Sequence, residues 1–288
     1  MVATPIGNLA DLSLRAIHVL GLADAIACED TRHTAPLLRH LGIDGKPLLA
    51  VHEHNERAAA QAVLARLAGG ERVALVSDAG TPAVSDPGAA LVAAVRAAGH
   101  RAIPIPGASS ALAALSVAGD TRGQGFRFVG FLPARGGERT QALQAVATAD
   151  ETAVLFEAPH RIDDLAGSLA ALCPDRVLTL GRELTKQFET VADMPACDLP
   201  GWLGAEPNRR RGEFVLVLHA RPADDAGDTA AHDRTLATLL AELPLKQAVG
   251  LAATLTGAPR NTLYARALAL KQAGQAGDAA DAGQTDGT

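Results

Sequence analysis

The sequence predicts an α/β fold in two lobes, followed by a small helical extension of helix-turn-helix type. Three observations support this. Over the first 118 residues, short β-like runs alternate with Ala- and Leu-rich helical stretches, the pattern of a largely parallel sheet. From 127 to 220 the strand runs are denser, which points to a mixed sheet. Beyond 233 only helical spacing remains.

In the first lobe, 1–119, the β-like runs are "AIAC" (25–28), "VALVS" (73–77) and "RAIPI" (101–105). The helical stretches are 12–23, 57–70, 88–99 and 109–119; Gly99 and Gly119 suit helix ends, and Ser109 or Ser110 suits a helix start. "MVATPIGN" leaves two or three β residues before a turn, whereas a buried strand usually has about five or six, so the first strand reads as clipped. "DTRGQGF" (120–126) marks the boundary. The second lobe, 120–221, holds "RFVGFL" (127–132), a helix near 138–149, "TAVLF" (152–156), a helix near 160–173, "RVLTL" (176–180) and "EFVLVLHA" (213–220).

Residues 222–233 carry four Asp and no Lys or Arg, and read as an acidic linker. The helical extension, 234–271, follows "DRTLATLLAEL" with "PLKQAVGLAATLTG" (244–257) and "APRNTLYARALALK" (258–271), joined by a Gly257 turn. Residues 272–288, rich in Gly, Ala and Asp, read as a disordered tail. The net charge of -6 therefore sits in these two acidic segments, and a near-neutral body leaves patches such as "NRRR" (208–211) able to hold phosphates. No run of eighteen apolar residues suggests a membrane span. Cys28, Cys173 and Cys197 are widely spaced and no signal-like start precedes them, which fits a reducing cytoplasm.

Three Gly/Pro loops follow strands of the first lobe: "TPIGNLAD" (4–11), "VSDAGTPAVSDPG" (76–88) and "PIPGASSA" (104–111). Ligands of open parallel sheets bind outside the strands' carboxyl ends, so the loops converge on one edge. Glycine allows close backbone approach, proline stiffens the turn, and Asp78 offers acceptors to a ribose or amino group. Helix capping is the plainer role for such Asp and Ser residues. No Gly-Lys-Ser/Thr phosphate loop and no GxGxxG spacing occurs, which argues against an NTPase or a nicotinamide enzyme. "HEHN" (52–55) lacks the i, i+4 histidines of a zinc helix and no CxxC occurs, so no catalytic metal is expected.

"TPIGNLADLSLRA", "ACEDTRHTAPLL", "VSDAGTPAVSDPG", "PGASSALAAL", "GFLPARGGER", "FEAPHRI", "GRELTKQFET" and "RRRGEFVLV", in this order, resemble the ribosomal-RNA-modifying branch of the tetrapyrrole methylase superfamily. These are the class III S-adenosylmethionine-dependent methyltransferases, and the resemblance runs from residue 2 to about 271. It implies a tetrapyrrole methylase-like fold with S-adenosylmethionine in the cleft between the lobes. It also implies a homodimer that methylates the ribose 2′-oxygen of a cytidine in the decoding region of small-subunit rRNA, with the assembled subunit favoured as substrate. Carried onto this chain, it assigns cofactor contacts to Ser77, Asp78, Ala79, Gly80, Val84, Ser109, Ser110, Glu157, Ala158, Leu184, Gly212 and Glu213. The chain departs from the family at its short start, at Phe156 where many relatives have Tyr, and in "PGASSA", which replaces a more proline-rich loop.

Catalytic candidates fall in "ACEDTRHT" and "RELTKQFET". Asp30 or Glu29 reads as a base or orienter with Arg32 gripping a phosphate, or all three form an ion-paired turn. Lys186 reads as a charge that lowers the hydroxyl's pKa, or as a solvated lysine. Asn8 reads as a ribose contact, or as a residue tolerated in a left-handed turn. RNA holding falls to Arg135, Arg139, Arg161, Arg209, Arg210 and Arg211, each equally explained by a solvated face. In the extension, Lys246, Arg260, Arg266 and Lys271 face nucleic acid, or the helices merely pack. Two rivals remain: a methyltransferase of the same fold acting on a tetrapyrrole or a protein, and a non-catalytic nucleic-acid-binding regulator.

Overall fold

The computed structural model describes residues 1–52, 55–221 and 225–281, with side chains for all of these except 225–231 and 272–281. Met1–Arg221 form one compact unit and Pro222–Thr288 a second. Two residues of the "HEHN" stretch, 53 and 54, lie outside the described residues.

The first unit opens in extended conformation. Val2 bridges Ile105 in parallel, and Thr4 pairs with Gly80 through N···O contacts of 2.9 and 3.0 Å. There follow α1 (Leu14–Leu22), capped by Ser13, then β1 (Ala25–Cys28), α2 (Thr31–His40), β2 (Leu48–Ala50), α3 (Glu56–Ala68), β3 (Val73–Val76) and α4 (Ala89–Ala97). The strands form a parallel sheet of order β2-β1-β3. Alternate residues of β1 explain its two-sided cover. Ile26 and Cys28 join Leu20 and Leu38 on one face, while Ala27 and Leu75 join Val63 and Leu91 on the other. "RAIPI" is not a strand: only Ile105 bridges, because Pro104 and Pro106 have no N–H to give a ladder.

Next come α5 (Ser110–Val117), β4 (Phe126–Phe131), α6 (Gly136–Thr148), β5 (Thr152–Glu157), α7 (Ile162–Leu172), β6 (Val177–Arg182), β7 (Thr190–Pro195), α8 (Leu199–Ala205) and β8 (Phe214–Leu218). They make a five-stranded sheet, β4-β5-β8-β6-β7, in which only β4 and β5 are parallel neighbours. One face packs on α6, α7 and α8 through Leu143, Leu165, Leu169 and Leu203. The other face receives Ala111, Ala114 and Ala118 against Val154, Val215 and Val217. This corrects the lobe boundary placed after residue 119: α5 follows the first sheet in sequence but supplies the cover of the second. Small alanines let it approach that closely.

The second unit comprises α9 (Asp225–Glu242), α10 (Leu245–Thr256) and α11 (Arg260–Asp281), closed around Leu236, Val249, Ala252, Leu263 and Ala267. Gly257 takes the left-handed conformation, φ 74°, that ends α10, and Arg266 pairs with Asp233. Of the expected acidic linker, 225–233 belongs to α9. Residues 222–224 lie outside the described residues. The expected disordered tail is also revised, since α11 continues through 272–281 on an alanine-rich sequence; 282–288 lie outside the described residues. No described helix is long and apolar enough to cross a membrane.

Candidate active site

Two cavities meet along the bridged segments 4–7 and 77–80. The larger, 360 Å³, is lined by Ile6, Ala79, Gly80, Val84, Ser109, Ser110, Glu157, Ala158, Leu184 and Glu213, among others. It thus gathers most of the residues assigned to the cofactor. Gly80, at φ 81°, sits against Ile6 and the Ala108 carbonyl, and Ser109 caps α5. Val84 and Phe131 stay 51% and 55% exposed at this cavity. Such apolar surface, beside the edge-to-face pair of Phe131 and Phe156, suits an adenine. The carboxylates of Asp86 and Glu213 along the wall suit a cation. Volume, apolar lining and negative charge therefore fit S-adenosylmethionine. Asp86, Phe131 and Phe156 were missed in this role; the signal was their position in a quoted loop or at a strand's carboxyl end.

Leu184 lines the cavity, and Gly212, assigned to the cofactor, lies outside its lining, beside Glu213. Gly212 has φ 91°, and a Cβ there would overlap the Glu183 side chain. Glu183 and Thr185, on either side of buried Leu184, hold left-handed φ values of 50° and 67°, a strain of about 1–3 kcal/mol each that gathers at functional sites. Lys186 closes this loop, its ammonium 2.9 Å from Glu183 and 3.0 Å from Glu213. Burial works against its charge, but the hydrogen bonds to Glu183 and Glu213 outweigh that and hold its pKa above the usual value. Lys186 is therefore a clamp between loops rather than a solvated lysine. Gly7 packs on it so closely that a Cβ would overlap its Cγ. Gly7→Ala is expected to displace Lys186 and reduce turnover about tenfold to a hundredfold, measured beside cofactor affinity by calorimetry.

Ser77 and Asp78 line the second cavity, of 330 Å³, with Thr4, Gly7, His33, Thr34 and His40. Asp78 does not turn its carboxylate to the larger cavity. It accepts from the Asp30 backbone N–H at 3.0 Å and lies 2.7 Å from His33 Nδ1. Asp30 caps α2 and holds Arg32 through contacts of 2.6 to 3.0 Å. Asp30 and Arg32 thus form the ion-paired turn. The Arg32 hydrogen bonds pull the Asp30 carboxyl down to about 2. A carbon-detected titration of Asp30 should show that midpoint, and Arg32→Gln should return it toward the ordinary range. Glu29 differs: burial first, then the charge of Asp86, push its carboxyl up. Asp30, His33 and Asp78 each offer one ligand atom within 4.8 Å of the others.

Asn8 caps the turn Leu9–Asp11 by accepting from Ala10 N–H at 3.0 Å, with φ -107°, so the left-handed alternative does not apply. The arginines separate. Arg139 and Arg161 turn inward to the fully buried Glu157, at 3.6 and 3.0 Å, and to the carbonyls of Leu132 and Pro133. Burial withdraws both from an RNA-facing role. Arg209 stacks 4.4 Å over Trp202 and pairs with Glu206, and Arg210 pairs with Asp163. Arg135 and Arg211 are exposed.

The fold alone is shared with solved methyltransferases. The structure is similar to the methyltransferase CobJ (TM-score 0.57, 21% identity, 76% of this chain and 92% of that one). It is likewise similar to a uroporphyrin-III C-methyl transferase from Thermus thermophilus complexed with S-adenyl homocysteine (TM-score 0.51, 18% identity, 75% and 94%). Residues 1–200 match the family model of Tetrapyrrole (Corrin/Porphyrin) Methylases, and 226–271 match the RsmI C-terminal HTH domain. Curated relatives share far more. Ribosomal RNA small subunit methyltransferase I of Escherichia coli O157:H7 is 46% identical over 93% of each chain. That of Neisseria meningitidis serogroup B is 48% identical over 94% of this chain and 93% of its own. The chain belongs to the tetrapyrrole methylases, within the ribosomal RNA small subunit methyltransferase I family.

Proposed function

We propose that the protein transfers a methyl group from S-adenosylmethionine to the ribose 2′-oxygen of a cytidine in the decoding region of small-subunit rRNA, in the assembled subunit. The observation that carries this reading is the pair of cavities lined by the 4–7 and 77–80 segments, one apolar with carboxylates along its wall, the other carrying His33, His40, Ser77 and Asp78 beside Leu9, Pro36 and Leu37. Ala79, Gly80, Ser109, Ser110, Glu157, Ala158, Leu184 and Glu213 would hold the cofactor, with Val84, Phe131 and Phe156 against its adenine. Bound there, S-adenosylmethionine supplies an electrophilic methyl group on a sulfonium. Val84 and the phenylalanines exclude water, and Asp86 and Glu213 favour the cationic ligand over its neutral product. Lys186 ties the segment after β6 to Glu213 just before β8, and so holds the cavity floor in place.

Exposed Arg135 and Arg211, with Lys246, Arg260 and Lys271 of the helical unit, supply cations for the RNA backbone. Exposed Leu112, Val117, Phe188 and Val191 offer apolar surface to a second copy in a homodimer. The free cysteines fit the reducing cytoplasm, where ribosomal subunits mature. The test is incorporation of labelled methyl into unmethylated small subunits, compared with naked rRNA, a tetrapyrrole and a protein acceptor. The reading predicts label in the subunits; label confined to the tetrapyrrole or protein contradicts it.

A further inference from the structure

We propose that His33, positioned by Asp78, is the group that takes the acceptor hydroxyl's proton. This rests on the ribose-methylating reading above. His33 Nδ1 lies 2.7 Å from Asp78 Oδ2, and Asp78 is itself fixed by the Asp30 N–H at 3.0 Å on its other oxygen. With Nδ1 as the donor to Asp78, Nε2 carries the lone pair. The ring is not packed away: its side chain is 66% exposed and it lines the 330 Å³ cavity with Thr4, Thr34 and Ser77. The next residues of the Asp78 loop, Ala79 and Gly80, line the cofactor cavity. The dyad thus stands where an acceptor ribose reaches across the shared wall.

Three other titratable candidates are engaged elsewhere. Lys186 is held between two carboxylates, Asp30 by Arg32, and Glu157 by Arg139 and Arg161. Around the ring stand Asp78 after β3, Asp30 and Arg32 at the start of α2, and His40 in the same cavity, with Glu29 facing the Asp78 backbone N–H. As the 2′-oxygen bonds to the methyl carbon, its O–H bond breaks toward His33 Nε2. The C–S bond opens with its electron pair left on sulfur. One positive charge leaves the sulfonium as one appears on the imidazole, beside the Asp78 carboxylate that stabilises it.

The test uses the full-length protein, unmethylated small subunits and S-adenosylmethionine. His33→Ala and His33→Gln are expected to lower kcat by about 10²–10⁴-fold, to leave calorimetric cofactor affinity within about twofold, and to keep the wild-type melting curve, as the exposed ring predicts. Added imidazole restores turnover to His33→Ala. Nitrogen-detected titration of His33 in the cofactor-free protein gives a readout independent of activity: its midpoint falls in Asp78→Asn. Turnover within about threefold of wild type in both His33 variants overturns the proposal. So does an unmoved midpoint in Asp78→Asn, which removes the dyad. Chelator-sensitive activity restored by a divalent cation also overturns it, because His33 would then be a ligand. Wild-type protein that methylates no subunit at all overturns the functional reading instead, while the titration still judges the dyad.

Discussion

Arg176→Met is expected to lower the unfolding free energy by about 3–5 kcal/mol. Arg176 is 6% exposed at the start of β6, and its guanidinium donates to the carbonyls of His219 (2.7 Å), Val146 (2.9 Å), Ala147 (3.3 Å) and Glu151 (2.8 Å). One side chain therefore ties the end of α6, the approach to β5, and the segment after β8 to β6. Burial lowers its pKa, yet the carbonyl cage keeps the charge compensated. Methionine fills the volume but leaves the carbonyls without donors. Urea unfolding should show the midpoint falling with an unchanged slope. A loss below about 1 kcal/mol would show that water replaces the guanidinium, and that the site behaves as surface.

Glu157→Ala is expected to be of similar size and to remove cofactor binding as well. The carboxylate is wholly buried at the end of β5, accepts from the Ala158 N–H at 3.0 Å, and is the shared counter-charge of Arg139 and Arg161. Its removal buries two uncompensated guanidinium groups, a cost of about 3–5 kcal/mol. Because Glu157 and Ala158 line the cofactor cavity, relaxation of the arginines reaches the ligand. Glu157→Gln keeps volume and the acceptor for Ala158, so it should retain more cofactor affinity than alanine while remaining destabilised. Calorimetry and thermal unfolding on the two variants separate the effects. Equal affinity in both would make Glu157 purely structural.

The strands that were legible in the sequence are the buried ones. "AIAC" and "VALV" are continuous apolar runs covered on both faces, so composition reveals them. β2 has only three residues, none buried, and β7, "TVADMP", is an edge strand with one buried residue, Met194, interrupted by Asp193 and ended by Pro195; neither carries a periodic signal. α2, "TRHTAPLLRH", was hidden by Pro36 inside it and by polar residues that read as a turn. The loops that line the larger cavity were legible because glycine and proline punctuate strand ends. The roles of charged residues were not, because an arginine that pairs inward with Glu157 and one that faces solvent look alike in one dimension. Asp78 shows this most sharply: its loop was identified, but its partner His33 lies 45 residues earlier and only the fold joins them.

The most direct test of the central claim is the chemical identity of the product. Unmethylated small subunits are treated with the protein and S-adenosylmethionine, the rRNA is hydrolysed in alkali, and the resistant dinucleotides are identified by mass spectrometry. A ribose 2′-methyl removes the hydroxyl that alkali uses to cleave the adjacent phosphodiester, so the account predicts one resistant dinucleotide beginning with a methylated cytidine from the decoding region. A methylated base within an alkali-labile nucleotide, or label on a ribosomal protein, would contradict it.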